Sequence, residues 1–349
     1  MSYTPRNVLV TGGAGFIGAN FIRCWLSQNC DVPNIINLDL LTYAGTLSHL
    51  KNLPNHHNYF FVQGDINDKE LLISLLRQYN IDTIVHFAAE SHVDRSICGP
   101  AAFVQTNIIG TFTLLEAVKS VWLYEKKWDE KHCRFHHIST DEVYGTLNQH
   151  QLPFTEKSTY QPNSPYSASK ASSDYLARSY HHTYGLPITM SHCSNNYGPY
   201  QHSEKFIPTI IRSCLNKQPI PVYGNGSNIR DWIYVEDHCL GILSILKNGK
   251  NGETYNLGGN CEKNNLMLTK DICQLMDEIH PWKQPYETLI QFVKDRPGHD
   301  WRYAIDSSKT KNFLGWEPKE NLISGLRKTI QFYIESSKER APNLVIHME

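Results

Sequence analysis

Two side chains with complementary chemistry stand four residues apart near the middle of the sequence. Tyr166 and Lys170 lie in a stretch of helical pattern, residues 165–184, so the phenol and the ammonium are predicted to share one helix face. A nearby ammonium favours the phenolate, and tyrosine has a pKa of about 10 without such help. The pair predicts a base that takes a proton from a hydroxyl group, although the spacing alone is also typical of a helix surface.

Two adjacent carboxylates form a second candidate for proton transfer. Asp141 and Glu142 belong to the segment 139–145, which directly follows a predicted strand, residues 135–138, and ligands of parallel sheets collect at such strand ends. In a continuing strand the two side chains would point to opposite faces, and one would be buried without a partner. Two proton-transfer roles around one substrate explain the pair better. A solvated acidic turn that caps the next helix is the alternative.

A glycine-rich loop precedes both motifs. Gly12, Gly15 and Gly18 are spaced by three residues, between a predicted strand and a predicted helix. In that context the first glycine permits a tight turn, the second lets the backbone approach a pyrophosphate, and the third lets helix and sheet pack closely. Free N–H groups at the helix start attract the anion. The loop predicts a dinucleotide site, with an ordinary turn as the alternative.

Two aspartates after the next strands refine this prediction. Asp39 ends the second predicted strand, about 20 residues beyond the glycines, where a carboxylate can accept hydrogen bonds from ribose hydroxyls. It would repel a 2′-phosphate, and residues 40–42 offer no cation, so the predicted cofactor is NAD rather than NADP. Asp65 is placed either to meet the adenine edge or to cap the helix that starts near Lys69.

Short apolar strands alternate with helical segments through the first 140 residues. The predicted strands are 7–10, 35–38, 59–62, 83–86 and 135–138, and the predicted helices are 16–27, 69–79 and 101–121. This alternation predicts an α/β fold, a doubly wound parallel sheet of the Rossmann type. From about residue 190, frequent glycine, proline, asparagine and tryptophan favour irregular loops and a smaller, mixed α/β substrate domain.

Composition limits the classes of partner. The chain has 349 residues, 33 Lys plus Arg against 34 Asp plus Glu, and a formal net charge of −1, which gives no electrostatic footprint for nucleic acid. No run approaches the roughly 18 unbroken apolar residues of a membrane span. Nine scattered cysteines without a C-x-x-C pair predict reduced thiols and a cytoplasmic protein. The 17 histidines show no ligand spacing, so no metal is expected.

With these motifs in place, the sequence resembles the nucleotide-sugar branch of the extended short-chain dehydrogenase/reductases, and more narrowly the dTDP-glucose 4,6-dehydratase family. The resemblance covers about residues 7–335, and further matching segments are 41–45, 88–96, 139–145, 193–200, 230–238 and 295–299. The glycine loop and the Tyr–Lys pair mark only the superfamily. The triplet Thr140, Asp141 and Glu142 narrows it.

The resemblance implies an NAD-dependent dehydration of a nucleotide-activated hexose in three steps. Tyr166, supported by Lys170 and Thr140, takes the proton of the C4 hydroxyl as hydride leaves C4. Glu142 then removes the C5 proton while Asp141 protonates the departing C6 hydroxyl, and hydride returns to C6 to give a 4-keto-6-deoxy sugar. We therefore expect a raised pKa for Asp141 and an ionised Glu142.

The resemblance also implies two sets of binding residues. The cofactor set is Gly12, Gly15, Phe16, Ile17, Gly18, Asp39, Thr42, Asp65, Ile66, Ala88, Ala89, Tyr166 and Lys170. The substrate set is Ser91, His92, Thr140, Asn195, Asn196, Glu204, Lys205, Arg230, Asn265, Arg296 and His299. Arg230 and Arg296 are the candidates for gripping the pyrophosphate, with fold-stabilising ion pairs as the alternative. Leu40, His192 and Trp301 depart from the family pattern.

Domain organisation and assembly complete the expectations. The NAD-binding domain is expected at 1–190, with 217–250 and 318–340 returning to it, the substrate domain at 191–216 and 251–317, and a tail at 341–349. In this superfamily helices equivalent to 101–121 and 164–184 pair across a dimer as a four-helix bundle, so a homodimer is expected.

Three alternative functions remain open at this point. A UDP-glucose 4,6-dehydratase differs only in the nucleotide, which no residue reads unambiguously. A nucleotide-sugar epimerase or decarboxylase shares the C4 oxidation, but an epimerase has no use for the pair Asp141 and Glu142. A catalytically silent nucleotide sensor has no reason to keep Thr140, Tyr166 and Lys170 together.

Overall fold

A seven-stranded parallel sheet forms the centre of the larger part of the molecule. The computed structural model describes residues 3–28 and 32–340, and the predicted tail, 341–349, lies outside the described residues. The strands are β1 Asn7–Thr11, β2 Asn34–Asp39, β3 Tyr59–Gln63, β4 Thr83–His86, β5 Arg134–Thr140, β6 Ile188–Cys193, β7 Asn195–Tyr197, β8 Ile220–Tyr223, β9 Ile229–Tyr234, β10 Thr254–Leu257, β11 Glu262–Asn264 and β12 Ile290–Val293.

Ten helices surround the strands in the described part of the chain. They are α1 Phe16–Leu26, α2 Lys69–Gln78, α3 Val93–Cys98, α4 Pro100–Glu125, α5 Pro165–Tyr184, α6 Phe206–Asn216, α7 Val235–Asn248, α8 Asn265–Ile279, α9 Ser308–Leu314 and α10 Leu322–Arg340. The five strands and three helices predicted from the sequence are all present. The predicted helix 101–121 ends four residues before α4 does, because a π-helical stretch, Lys119–Glu125, continues the helix; a second such stretch, Val104–Gly110, lies in its interior.

The order of the strands confirms the doubly wound fold. The large sheet runs β10-β6-β5-β4-β1-β2-β3, and every neighbouring pair in it is parallel. Apolar residues alternate between its faces: Val8 packs with α1 and α7 on one side, and Leu9 packs with α2, α4 and α5 on the other. Because the chain reverses direction across the sheet between β1 and β4, their carboxyl ends open into a crevice.

The smaller part of the molecule contains two short sheets and a core of its own. β9 lies between β11 and β7, and β12 pairs with β8. Helices α6, α8 and α10 pack on these strands, with Ile207, Leu268 and Leu326 fully buried in one apolar cluster. The mixed α/β character of this part agrees with the sequence expectation.

The structure divides the chain differently from the sequence expectation at several segments. β10, inside the range 251–317 expected to bind substrate, pairs with β6 of the large sheet. β8, β9 and α10, expected to return to the large sheet, instead pack in the smaller part. Pairing between segments far apart in the sequence decides where each of them packs, and no local pattern reveals that pairing. α7 does return, and packs against α1.

Helix α4 is the one helix in the described residues that is long and apolar enough to cross a membrane by length and composition. Gln105, Thr106 and Asn107 interrupt its apolar run, and 44% of its most apolar window is buried in the protein. Trp122 is fully buried against the sheet and donates its indole N–H to the Ile81 carbonyl at 2.9 Å. A core helix of this kind meets the same length criterion.

The first turn of α5 is fixed by a capping box. The Ser164 hydroxyl accepts the Ser167 backbone N–H at 3.0 Å, and the Ser167 hydroxyl accepts the Ser164 backbone N–H at 3.0 Å. Both serines are buried, and Tyr166 lies between them. The helix ends where Gly185 adopts a left-handed φ of 72°. The cap therefore sets the position of Tyr166.

Replacing the capping serine tests this anchor. Ser164→Ala is expected to lower the free energy of unfolding by about 1 kcal/mol, the usual effect of losing an N-cap side chain. The measurement is urea unfolding followed by circular dichroism. Ser172→Ala, on a solvent-facing turn of the same helix, is the matched control and is expected to stay within about 0.5 kcal/mol of the parent. Equal effects of the two changes would contradict a special role for the cap.

Candidate active site

A cleft opens at the carboxyl ends of the central strands and encloses about 320 Å³. Its lining includes most of the residues predicted from the sequence: Gly12, Gly15, Phe16, Ile17, Gly18, Asp39, Thr42, Asp65, Ile66, Ala88, Ala89, Ser91, His92, Thr140, Asp141, Glu142, Tyr166, Lys170, Asn195, Asn196 and Lys205. Segments far apart in the sequence therefore converge on one cavity, as expected at the topological switch point of a doubly wound sheet.

The glycine loop forms one end of the cleft. Gly12 has a φ of 72°, and a Cβ there would lie 2.6 Å from the Ala88 backbone nitrogen. A Cβ on Gly18 would lie 2.4 Å from the Gly12 carbonyl oxygen, so this glycine lets α1 approach the loop. Helix α1 begins at Phe16, directly after Gly15, with its first backbone N–H groups towards the cleft end of β1.

The two aspartates after β2 and β3 differ in how they are held. Asp39 accepts backbone N–H groups from Ala14 at 2.9 Å and from Leu41 at 2.8 Å, one on each oxygen. Burial raises its pKa and these two bonds oppose the rise. Asp65 accepts the backbone N–H of Asn67 at 2.8 Å, while Asp68 caps α2. The helix-cap alternative for Asp65 is therefore wrong.

The carboxylate pair lies on a tight turn beyond β5. Asp141 and Glu142 begin a 3-10 turn whose cap is Thr140, and the Thr140 hydroxyl accepts the Glu142 backbone N–H at 3.3 Å. Asp141 is 2% exposed, and one of its carboxyl oxygens has no hydrogen-bond partner in the described residues. The strand therefore ends at Thr140, so Asp141 and Glu142 are not forced to point to opposite faces of the sheet.

Burial and neighbouring charge separate the two acids electrostatically. Burial, reinforced by the negative charge of Glu142, raises the pKa of Asp141 well above its usual value. Burial also raises the pKa of Glu142, but Arg296, Arg230 and Lys205 oppose that rise. Asp141 is consequently the member of the pair that holds a proton more readily, in the direction expected from the sequence.

The pKa of Tyr166 is raised, whereas the sequence predicted that the Lys170 ammonium would lower it. Burial and the negative charge of Glu142 raise the pKa of the Tyr166 phenol well above 10, and a hydrogen bond with Thr140 opposes the rise. Lys170 does not contact the phenol directly: its ammonium donates to the Ile138 carbonyl at 2.8 Å and is 5% exposed. Desolvation by the protein therefore outweighs the help that the ammonium was expected to give.

Five of the predicted substrate residues lie outside the cleft lining: Glu204, Arg230, Asn265, Arg296 and His299. Glu204 forms an ion pair with Arg95 at 2.7 Å near the rim. Arg296 forms an ion pair with Asp94 at 2.8 Å, although its buried Nε has no partner in the described residues. Arg296 therefore forms an ion pair within the protein, which is the alternative considered for it from the sequence.

The other three outlying residues are held within the smaller part. Arg230 is buried, donates to the Asp300 carbonyl at 3.0 Å and lies over the Tyr303 ring, 4.2 Å from its centre. His299 contacts Asp295 at 2.6 Å. Asn265 donates its backbone N–H to the Asn228 carbonyl at 3.0 Å. Both arginines still act on Glu142 electrostatically.

The residues that depart from the family pattern fall in different places. Leu40 is exposed and lines the cleft, and Trp301 lies at the surface with 38% exposure. His192 lies outside the cleft lining, in a buried network with Asp174. Sequence reasoning missed this network because its members belong to different elements and show no motif. In the described residues no group of three or more histidine, cysteine or acidic side chains could hold a metal ion.

Comparison with known proteins gives a consistent result. A family profile described as GDP-mannose 4,6 dehydratase matches residues 9–329. The dTDP-glucose 4,6-dehydratase of Xanthomonas campestris pv. campestris (strain B100) is 51% identical over 328 residues, 93% of this chain and 92% of that protein. The dTDP-glucose 4,6-dehydratase 1 of Escherichia coli (strain K12) is 49% identical over 339 residues, 95% of this chain and 93% of that protein.

A solved structure supports the same relationship. DesIV, a dTDP-glucose 4,6-dehydratase from Streptomyces venezuelae crystallised with NAD, superposes with a TM-score of 0.86 at 44% identity, covering 95% of this chain and 98% of that one. The sheet order, the glycine loop and the Tyr–Lys pair define an extended short-chain dehydrogenase/reductase. Within that class, the chain belongs to the dTDP-glucose 4,6-dehydratase family.

The raised pKa of Asp141 predicts a pH-dependent effect on stability. A carboxyl with a folded-state pKa above its unfolded value of about 3.9 favours folding below that pH and loses this advantage as pH rises through the folded-state pKa. Relative to the parent, the thermal midpoint of Asp141→Asn is therefore expected to rise, by a few degrees, as the pH is raised from about pH 4.

The control is Glu70→Gln, because Glu70 is an exposed acid on α2. Its midpoint difference from the parent is expected to stay flat across the same pH range. A flat difference for Asp141→Asn as well would contradict a buried carboxyl that resists ionisation.

Proposed function

We propose that the chain catalyses NAD-dependent dehydration of dTDP-glucose to dTDP-4-keto-6-deoxyglucose. The observation that carries the proposal is the position of Asp141 and Glu142, which share one cleft with Tyr166, Lys170 and a dinucleotide-binding loop. The relatives described above favour a dehydratase over an epimerase or a decarboxylase. The opposed environments of the two acids suit one acid and one base at adjacent carbons.

The residues of the cleft fit a bound NAD molecule. The loop from Gly12 to Gly18 leaves room for a pyrophosphate at the start of α1, and Asp39 keeps carboxylate lone pairs for the ribose hydroxyls after accepting two backbone N–H groups. DesIV was crystallised with NAD. When bound, NAD supplies the acceptor for the C4 hydride and later the donor for C6. The positive charge of its oxidised nicotinamide ring would also oppose the rise in the pKa of Tyr166.

The oxidation step depends on Tyr166 and its neighbours. Tyr166 takes the C4 hydroxyl proton, Thr140 donates a hydrogen bond that favours the phenolate, and Lys170 adds positive charge from the next turn of α5. Burial of the phenol makes this charge worth more than it would be in water, because the interaction is less screened. The same burial excludes water from the reacting carbon.

The elimination step depends on the two acids. Once C4 is a ketone the C5 proton is acidic, and Glu142, favoured as a carboxylate by three cations, removes it. Asp141, protonated because of its burial beside Glu142, gives its proton to the departing C6 hydroxyl. Neighbouring residues on one turn thus reach adjacent carbons. Lys205, Asn195 and Asn196 line the sugar end of the cleft.

The substrate nucleotide requires a rearrangement of the residues outside the cleft. We propose that Arg296 leaves Asp94 to grip the pyrophosphate, because its buried Nε has no partner within residues 3–28 and 32–340. Arg230 keeps its hydrogen bond to the Asp300 carbonyl, and its positive charge favours the carboxylate form of Glu142. Glu204, Asn265 and His299 then complete the nucleotide site. This site forms in the smaller part, which we propose as the substrate domain.

The proposal is tested by incubating the purified protein with dTDP-glucose and, separately, with UDP-glucose. Formation of a 4-keto product that absorbs in alkali is expected with dTDP-glucose, at a higher kcat/KM than with UDP-glucose. Faster conversion of UDP-glucose would contradict the nucleotide assignment. No conversion of either sugar would contradict the dehydratase itself.

Two variants separate the roles of the acids. Asp141→Asn is expected to keep the C4 oxidation and exchange of the C5 hydrogen with heavy water, and to lose elimination by at least about 100-fold because the C6 hydroxyl has no proton donor. Glu142→Gln is expected to lose the C5 exchange. The sugars are followed by mass spectrometry after acid quench. Equal loss of C4 oxidation in Asp141→Asn would contradict its assigned role.

We propose that the protein is a cytoplasmic homodimer. α4 packs against α5, and both helices carry exposed apolar side chains, Ile109 and Phe112 on α4 and Tyr175 on α5, which fits a four-helix bundle between two copies. The eight cysteines in the described residues are all free thiols, which fits a reducing compartment.

Light scattering tests the dimer. Phe112→Asp is expected to shift the molar mass from that of two chains to that of one, because it buries a charge in the proposed bundle. Phe313→Asp is the control: Phe313 is 77% exposed on α9, outside the bundle. A parent protein that is already monomeric would contradict the proposal.

A further inference from the structure

Helix α5 carries a third ionisable residue on the face of Tyr166 and Lys170. Asp174 follows Lys170 by four residues, so the three side chains form one stripe over two turns of the helix. Asp174 is 2% exposed and lies beneath the cleft, behind Lys170. It is outside the cleft lining, so neither cofactor nor substrate is expected to touch it.

Four side chains from three other segments hold the Asp174 carboxylate. One oxygen faces His137 Nε2 at 3.0 Å, and the other accepts the Ser139 hydroxyl at 2.8 Å and the Tyr160 hydroxyl at 3.2 Å and faces His192 Nε2 at 3.1 Å. Each histidine donates to the carboxylate when its Nε2 carries the proton. A buried acid with this many donors is built to stay ionised.

The pKa directions agree with that geometry. Burial alone would raise the pKa of Asp174, but the hydrogen bonds from His137 and His192 outweigh it and hold the pKa well below its usual value. Burial and the charge of Lys170 lower the pKa of His137 to about 4, so this partner is neutral at neutral pH. Asp174 therefore stays ionised beside a neutral His137.

Lys170 has few other sources of support for its charge. Its ammonium donates to the Ile138 carbonyl, and burial lowers its pKa while Asp174 opposes that effect. The titratable groups that face it from β4, β5 and β6 are His86, His137 and Cys193. Burial keeps all three uncharged near neutral pH, raising the pKa of the Cys193 thiol to about 12 and lowering that of His86.

We propose that Asp174 is a positioning residue that keeps Lys170 charged, acting as its buried counterion from one helical turn away. The inference rests on the proposed function, in which the charge of Lys170 favours the Tyr166 phenolate. The ammonium is buried among neutral groups, and a charge there is maintained only by an opposite charge. The rigid hydrogen-bonded setting of Asp174 provides that charge without a direct ion pair that would draw the ammonium away from the cleft.

The direction of the pH effect follows from the charge removed. Asp174→Asn keeps the size of the side chain but removes the negative charge, so the pKa of Lys170 falls and the ammonium loses its proton at a lower pH. The alkaline limb of the kcat/KM profile is expected to move to lower pH by about one unit, equivalent to a tenfold loss on that limb. The loss is expected to shrink as the pH is lowered, because lower pH favours the ammonium form of Lys170.

Tyr160→Phe is the matched control for damage to the network. It removes one hydrogen bond to Asp174 and one contact with His192 but leaves the carboxylate charged. Its alkaline limb is expected to coincide with that of the parent. A uniform loss of rate at all pH values in Asp174→Asn, with no movement of the limb, would mean a merely structural role and would overturn the inference.

A double-mutant comparison asks whether Asp174 acts through Lys170. In a Lys170→Met background there is no ammonium to support, so adding Asp174→Asn is expected to leave kcat/KM unchanged. The same loss in both backgrounds would overturn the inference. Failure of the parent protein to convert dTDP-glucose is a separate result, which rejects the proposed function before the variants are compared.

One measurement is independent of whether Asp174→Asn folds. In the intact protein labelled with [15N]lysine, the Lys170 Nζ resonance, assigned by its disappearance in Lys170→Met, is expected at an ammonium shift at about pH 7. A neutral-amine shift at that pH would overturn the inference whatever the variants show. The same titration in Tyr160→Phe is expected to give an unchanged midpoint.

Discussion

Two adjacent carboxyl groups cannot both keep a negative charge in a poorly solvated cleft, and the architecture around β5 follows from that constraint. The strand ends at Thr140, and the turn beyond it places Asp141 in the interior, where one of its oxygens has no hydrogen-bond partner among the described residues. Glu142 turns towards cations from the smaller part of the molecule. The two acids thus titrate differently because their surroundings differ, although they are neighbours in sequence.

The constraint explains why two parts of the chain must pack closely. Arg230, Arg296 and Lys205 all lie outside the large sheet, in segments that follow β6 in the sequence, yet they act on an acid at the end of β5. Their own anchoring, Arg230 over Tyr303 and Arg296 on Asp94, holds positive charge near the cleft without bringing it into contact with the acids. A cation in contact would lower the pKa of Asp141 and remove the proton that elimination requires.

Helix α5 also carries ionisable side chains whose charge depends on their surroundings. A phenol that lines the cleft, a buried ammonium and a buried carboxylate follow one another at four-residue spacing, and the sheet supplies hydrogen-bonding partners beneath the ammonium and the carboxylate. Neither the ammonium nor the carboxylate would keep its charge in that position alone, because burial disfavours each ionised form. Their stability comes from being placed together, and the capping box at Ser164 fixes where the stripe begins.

The sequence by itself determined the local features. Periodicity and glycine spacing predicted the first five strands, the dinucleotide loop and the shared helix face of Tyr166 and Lys170. Each of these features depends on residues that are close together in the sequence. The tertiary structure alone decided that β10 joins the large sheet while β9 and α10 do not, and that Arg230 and Arg296 act at a distance. It alone showed that Asp174, without a motif, lies behind Lys170 amid His137 and His192. Pairing of distant apolar segments and desolvation are properties of the packed chain, so no local pattern in the sequence encodes them.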